Sequence, residues 1–232
     1  MAATLDGPRL PATSQKTEQL VVFLHGYGAN GNDLIAIGKQ WRNLMPGAAF
    51  VAPNAPEPCG QVPGGRQWFR LTMRDPDERW IGVNKAAPIL NAFLDAECDR
   101  YGLDDSQLAL VGFSQGTMLA LHAGLRRART PAAILGYSGE LVAPPDQEPA
   151  IASKLGAKSP PIFLLHGSKD DVIPAEALFR SAEALARAEI PSQWHLSVGL
   201  GHGIDGLGLL YGGLFLAKCF GMKLDPSISA RM

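Results

Sequence analysis

The sequence predicts an α/β fold: one doubly wound, mostly parallel sheet flanked by helices. Three observations predict it. Short apolar runs without polar alternation recur along the chain, as in Gln19-Leu20-Val21-Val22-Phe23-Leu24-His25; such runs fit strands buried on both faces. Helix-forming stretches separate them, and this alternation favours a parallel sheet. Finally, residues 108–121 read LALVGFSQGTMLAL, an apolar strand that turns through Gly112-Phe113-Ser114-Gln115-Gly116 directly into a helix.

Taken in order, residues 1–18 form a leader or an edge strand, and residues 19–232 form one domain. The first buried strand ends at His25. A helix follows, capped by Asn32 or Asp33 and running to about Leu44, where Pro46-Gly47 stops it. A short strand covers 48–52. Residues 53–66 are rich in Pro and Gly and form a long irregular loop, a type that tends to be functional. Trp68-Phe69 follows it directly. A long helix starts near Trp80 or Pro88 and ends at Tyr101, with Gly102 as its C-cap. Strands at 132–137, 161–166 and 192–198 complete the sheet. Residues 138–160 carry only a weak helical hint near 150–155. Helices at 174–188 and 207–222 cover the later strands.

Length and composition set bounds. The chain has 232 residues and a net charge of −1, which suits one α/β domain with a substantial core. The only basic cluster is Arg126-Arg127-Ala128-Arg129, placed to complement a helix C-terminus. No nucleic-acid partner is expected. No apolar stretch reaches membrane-spanning length, and residues 1–18 lack the apolar core of a targeting peptide. Cys59, Cys98 and Cys219 are odd in number and show no metal-binding spacing. They read as free thiols in a reducing cytoplasm, with no metal implied.

G-x-S-x-G between a strand and a helix is the nucleophile-elbow pattern. It singles out Ser114, with the backbone N–H of Gln115 as one oxyanion donor. A serine hydroxyl needs a base. His202 sits among glycines after the last strand, free of sheet or helix restraint, and an imidazole titrating near ~6.5 suits proton shuttling. His25 and His166 end strands and read as fixing loop geometry through hydrogen bonds. His122 lies on the elbow helix and His195 on a strand, and both read as packing residues. For the orienting acid, Asp170 and Asp171 compete, one serving and the other capping the helix near Pro174; Asp205 lies too near His202 in sequence to be a strong rival. The second oxyanion donor belongs on the loop after an early strand, where Tyr27 stands.

That loop also admits a rival reading. Gly26-Tyr27-Gly28-Ala29-Asn30-Gly31 is a literal G-x-G-x-x-G, the dinucleotide fingerprint. Two features oppose it: the next strand runs into Val51-Ala52-Pro53-Asn54 without the acidic residue a ribose needs, and Asp33 puts negative charge where a pyrophosphate would sit.

FLHGYGANGNDL, GFSQGTMLAL, LLHGSKDDVIP and GLGHGID, in that order, resemble the phospholipase/carboxylesterase family of α/β-hydrolases, which includes acyl-protein thioesterases. The resemblance covers roughly residues 19–222. It implies the α/β-hydrolase fold without a large cap domain, no cofactor, and hydrolysis of carboxylic esters, thioesters or lysophospholipids through an acyl-enzyme. It selects Asp170 as the acid, since Val172-Ile173-Pro174 follows it, beside Ser114 and His202, with Tyr27 and Gln115 as oxyanion donors. Trp68-Phe69 matches a Trp-Phe pair of the family, where Asp often comes next; here it is Arg70. The short 138–160 segment then predicts an open, shallow site walled by Trp68 and Phe69. Such a site suits short to medium acyl chains or an acylated carrier, on a monomer or homodimer. A non-catalytic relative that binds acyl ligands, and an acyltransferase using the same triad, are the competing readings.

Overall fold

A computed structural model describes residues 5–223, apart from 61, 73, 74, 76 and 144–158. In chain order the strands are β1 (Arg9–Leu10), β2 (Gln19–Leu24), β3 (Ala48–Val51), β4 (Glu57–Pro58), β5 (Arg66–Gln67), β6 (Leu108–Phe113), β7 (Ala133–Tyr137), β8 (Ile162–Gly167) and β9 (Ser192–Ser197). The helices are α1 (Gly31–Trp41), α2 (Glu78–Tyr101), α3 (Gln115–Gly124), α4 (Glu176–Arg187) and α5 (Gly206–Cys219).

Seven strands form one sheet in the order β1-β3-β2-β6-β7-β8-β9. Within this sheet, among the described residues, only β1 is antiparallel. The strand order reverses between β2 and β6, so the loops that leave these two strands diverge to opposite faces and open a crevice at their C-terminal ends. Alternate residues of β6 serve two cores: Leu108 and Leu110 pack with α2 and α3, while Ala109 and Val111 pack on the face that α1 and α5 cover. Burial on both sides accounts for the unbroken apolar run.

Several boundaries differ from expectation. Asn30, not Asn32 or Asp33, caps α1. Its side chain accepts from the Asn32 amide at 2.9 Å, and Asp33 accepts from the Asn30 amide at 2.7 Å. This reciprocal box starts the helix two residues earlier. α2 begins at Glu78 and continues through Pro88, which lies on the exposed face, where water can serve the carbonyl that the ring leaves unpaired. The irregular 53–66 loop contains half of a two-stranded ribbon, β4 against β5. The helical hint near 150–155 and most of the 138–160 segment lie outside the described residues. The expected edge strand is present as β1, paired with β3 and tied down by Arg9, which donates to Glu97 at 2.6 and 3.1 Å.

Candidate active site

Ser114 stands between β6 and α3 with φ 54° and ψ −117°, a conformation that strains any residue with a Cβ. The two flanking glycines make this turn possible. A Cβ on Gly116 would lie 1.8 Å from the Leu24 carbonyl oxygen, and one on Gly112 would lie 2.4 Å from the Thr117 backbone. The backbone of Ser114 is held on both sides: its amide donates to Tyr137 O at 2.9 Å, and its carbonyl accepts from Thr117 N at 2.9 Å. Its side chain does not cap α3, so the hydroxyl is not committed to the helix it precedes. The amide of Gln115 belongs to the first turn of α3, where N–H groups and the helix dipole favour negative charge.

Asp170 and His202 meet across two neighbouring loops. His202 Nδ1 lies 2.8 Å from Asp170 Oδ2. Asp170 Oδ1 accepts from the amides of Val172 and Ile173 at 3.0 and 2.9 Å. Burial alone would raise the carboxyl pKa, but the Ile173 amide, His202 and the Val172 amide together hold it below the usual carboxylate range. An ionised acid fixes the tautomer of His202: Nδ1 keeps the proton and Nε2 is the basic nitrogen.

The loops are laced by backbone. Lys169 N donates to Leu200 O at 2.8 Å, and Ser168 N to Ser197 O at 3.0 Å. A Cβ on Gly167 would lie 2.3 Å from Gly201 O and 2.4 Å from Leu200 O, so only glycine permits the approach. Ser138 Oγ donates to Gly203 O at 3.0 Å and anchors the His202 loop to the end of β7. Phe113, the residue before Ser114, sets its ring 5.0 Å from that of His202.

The rival acids are occupied or outside the cluster. Asp205 caps α5, accepting from Gly208 N at 2.6 Å. Asp171 is exposed. The expectation that an aspartate caps the helix near Pro174 is corrected: the N-cap of α4 is Ala175, and Asp170 turns its free oxygen to the 172–173 amides instead. His122 and His195 pack against the rings of Trp80 and Tyr211.

The Tyr27 loop lies against the elbow. A Cβ on Gly26 would come within 3.1 Å of the Phe113 ring and 3.3 Å of Ser114 Cβ. Gly28, at φ 78°, donates to Arg66 O at 2.9 Å, and the Tyr27 phenol pairs with Cys59, which with burial raises its pKa. The dinucleotide reading fails here. The amides of Asn30, Gly31 and Asn32 are taken by Asp33, Asn54 and Asn30 side-chain oxygens, so none is open to a pyrophosphate.

Trp68 and Phe69 are 2% and 3% exposed, so they are largely packed and reach the surface only as part of the lining of a groove beside α2. Gln115 explains their position. The Trp68 amide donates to Gln115 Oε1 at 2.8 Å, and Gln115 Nε2 donates to Phe69 O at 2.7 Å. Trp68 Nε1 donates to His25 O at 2.9 Å. His25 in turn accepts from Ala55 N at Nε2, 3.0 Å, with Nδ1 2.8 Å from Gly26 O. Burial depresses the His25 pKa, in keeping with a neutral ring. One bracket thus joins the first residue of α3 to the loop of Tyr27. Sequence reasoning missed the side-chain role of Gln115 and the anchoring role of Ser138. The only local signal for Ser138 was a serine between a strand end and a glycine. Phe69 also borders a groove of about 480 Å³ between the 56–72 stretch and α2, with Ile81 and Ile89 on its apolar side and Arg70 and Lys85 among its charged residues.

A family model described as Phospholipase/Carboxylesterase matches residues 5–219. The chain is 28% identical to Esterase YpfH of Escherichia coli, over 81% of this chain and 77% of that protein. It is 31% identical to Acyl-protein thioesterase 1 of Schizosaccharomyces pombe, over 71% and 74%. It superposes on the crystal structure of esterase PE8 with a TM-score of 0.87 and 41% identity, covering 93% of this chain and 99% of the other. With its fold, its elbow and this match across nearly its whole length, the chain belongs to the phospholipase/carboxylesterase family of hydrolases.

Proposed function

We propose that the chain hydrolyses carboxylic esters or thioesters through a Ser114-His202-Asp170 triad. The observation that carries the reading is the 2.8 Å bond from His202 to an Asp170 carboxylate whose pKa is held low, with the ring of Phe113, the residue before a Ser114 kept at φ 54°, 5.0 Å from the ring of His202. Ser114 Oγ attacks the acyl carbon while His202 Nε2 takes its proton. The tetrahedral oxyanion is received by the amides of Tyr27 and Gln115, each worth about 2.7–4 kcal/mol to the transition state. The C–O or C–S bond then breaks as His202 returns the proton to the leaving alcohol or thiol. Water, deprotonated by His202, attacks the acyl-enzyme and releases the acid.

The names of the relatives, an esterase and an acyl-protein thioesterase, support both leaving groups. The apolar side of the groove by Phe69 supports acyl chains of short to medium length, free or on a carrier. The cysteines Cys59, Cys98 and Cys219 are free thiols, in keeping with a reducing, cytoplasmic setting.

A fluorophosphonate is expected to label Ser114 alone. Ser114→Ala is expected to lose the label and to lower kcat by about 10⁴-fold or more on aryl esters and acyl thioesters. Activity retained in that variant overturns the triad. No labelling of the wild type together with no turnover of any ester or thioester favours the acyl-binding reading instead.

A further inference from the structure

The Asp170 carboxylate accepts three hydrogen bonds and has the ring nitrogen of a buried histidine close beside it. Oδ1 is filled by the amides of Val172 and Ile173. Oδ2 accepts from His202 Nδ1 at 2.8 Å and also lies 3.2 Å from Nε2 of His166. The His166 side chain is 1% exposed and that of Asp170 is 0% exposed. The same Nε2 stands 2.8 Å from the carbonyl oxygen of Ile173. A carbonyl and an ionised carboxylate can only accept, so Nε2 must carry the proton of the neutral ring. Nδ1 is buried without a hydrogen-bond partner among the described residues, so no acceptor draws the proton to the other side. His166 is therefore a donor of fixed direction. The Nε2 proton goes to the carbonyl of Ile173, in the turn that follows the triad acid, with Asp170 Oδ2 close beside the donor nitrogen.

We propose that His166 is a positioning residue for the reaction, acting through Asp170; the proposal rests on the triad reading above. Val172 and Ile173 hold one carboxylate oxygen, and that alone leaves the other oxygen dependent on His202 for its place. His166 sets its polarised Nε2–H 3.2 Å from that second oxygen, from inside the fold. By also bonding Ile173 O, it keeps the 170–173 turn closed, so that the Ile173 amide stays aimed at Oδ1. The imidazole of His202 then finds its acceptor already in place, which costs no reorganisation when the ring becomes charged in the transition state. His166 touches neither the reacting atoms nor the groove by Phe69. Its loss therefore acts on kcat and leaves KM alone.

The test compares His166→Leu with His166→Gln, whose Nε2 can donate from nearly the same point. In His166→Leu, kcat on an aryl ester is expected to fall about 10- to 100-fold, the range that a small misplacement of a catalytic group produces, with KM within about twofold. His166→Gln is expected to recover most of that loss. The downfield proton resonance of the His202–Asp170 hydrogen bond should persist in the wild type and His166→Gln, and shift or vanish in His166→Leu. Unchanged kcat in His166→Leu overturns the proposal, as do equal losses in both variants that track their thermal stability. If His166→Leu does not fold, imidazole ¹⁵N spectra of the wild type decide: a proton on Nε2 of His166 is expected, and a proton on Nδ1 overturns it. Ser114→Ala separates the two layers. If that variant stays active, the triad reading fails; if it is dead while His166→Leu is fully active, only the role of His166 fails.

Discussion

The glycine at position 116 is set by one contact. Its Cα faces the carbonyl of Leu24 so closely that a methyl group would sit 1.8 Å from the oxygen. Backbone in the centre of a parallel sheet cannot yield, so Gly116→Ala is expected to cost more than about 4 kcal/mol, the tail of single-substitution effects. Urea denaturation checks it, with Gly206→Ala as the control, because nothing lies within 4 Å of a Cβ at Gly206. Equal behaviour of the two variants would contradict the packing argument. The motif letters announced the glycines around Ser114, but their partner atoms were not legible. Leu24 is far away in sequence, and the letters say nothing of which strand lies beside which. The residues proposed as the triad stand out for a related reason: Ser114 and His202 sit in turns whose local pattern is informative. The choice of Asp170 over Asp171 needed the resemblance, because two adjacent aspartates in one turn have the same local propensity.

At the scale of elements, α3 is buried along its whole length and carries a histidine in its last turn. Burial, and next to it the Arg126 guanidinium, push the His122 pKa down to about 3. The sign follows directly. The unfolded chain binds a proton at this site below about pH 6.5, while the folded chain refuses it until far lower pH. The contribution to stability is therefore whole above pH 6.5 and is lost as pH falls toward 3, at up to about 1.4 kcal/mol per pH unit. His122→Leu is expected to flatten the decline of the urea midpoint between pH 6.5 and 4.5. Parallel curves for variant and wild type would exclude the effect. The element boundaries show where sequence reading stops. Strands of continuous apolar residues and the Gly102 cap were visible in the letters. The α1 cap was not, since Asn30, Asn32 and Asp33 have similar capping propensity and only the reciprocal hydrogen bonds distinguish them. Pro88 looked like a boundary, yet it lies inside α2 because its face of the helix is turned to water.

Across the whole molecule, buried charge fastens the ends of helices to the sheet. Arg127, 6% exposed, pairs with Asp105 and with Asp95 at 2.6 Å, and donates to Asn91 at 3.0 Å. Asp105 also receives Arg129 at 3.3 Å. These contacts join α2, the chain after α3 and the approach to β6. Asp105→Ala would leave the guanidinium of Arg127 buried with Asn91 and a single, largely exposed carboxylate, Asp95, at a cost of about 3 kcal/mol. A fall in Tm of roughly 10 °C is expected, with turnover per folded molecule unchanged. Calorimetry and an esterase assay check the two halves of that statement, and a fall in turnover would tie the network to catalysis instead. None of these pairings could be read from the letters, where Arg126-Arg127-Ala128-Arg129 looked only like a complement to a helix C-terminus.

The contact at Gly167 reaches further than its size suggests. Because β8 runs out against the carbonyls of Leu200 and Gly201 with no room for a side chain, the segments bearing Asp170 and His202 share one seam. Neither can lengthen, shorten or acquire bulk at that seam without the other answering. Divergence within such a pair of segments is thus concerted, and lesions that silence the enzyme can arise where no reacting group resides.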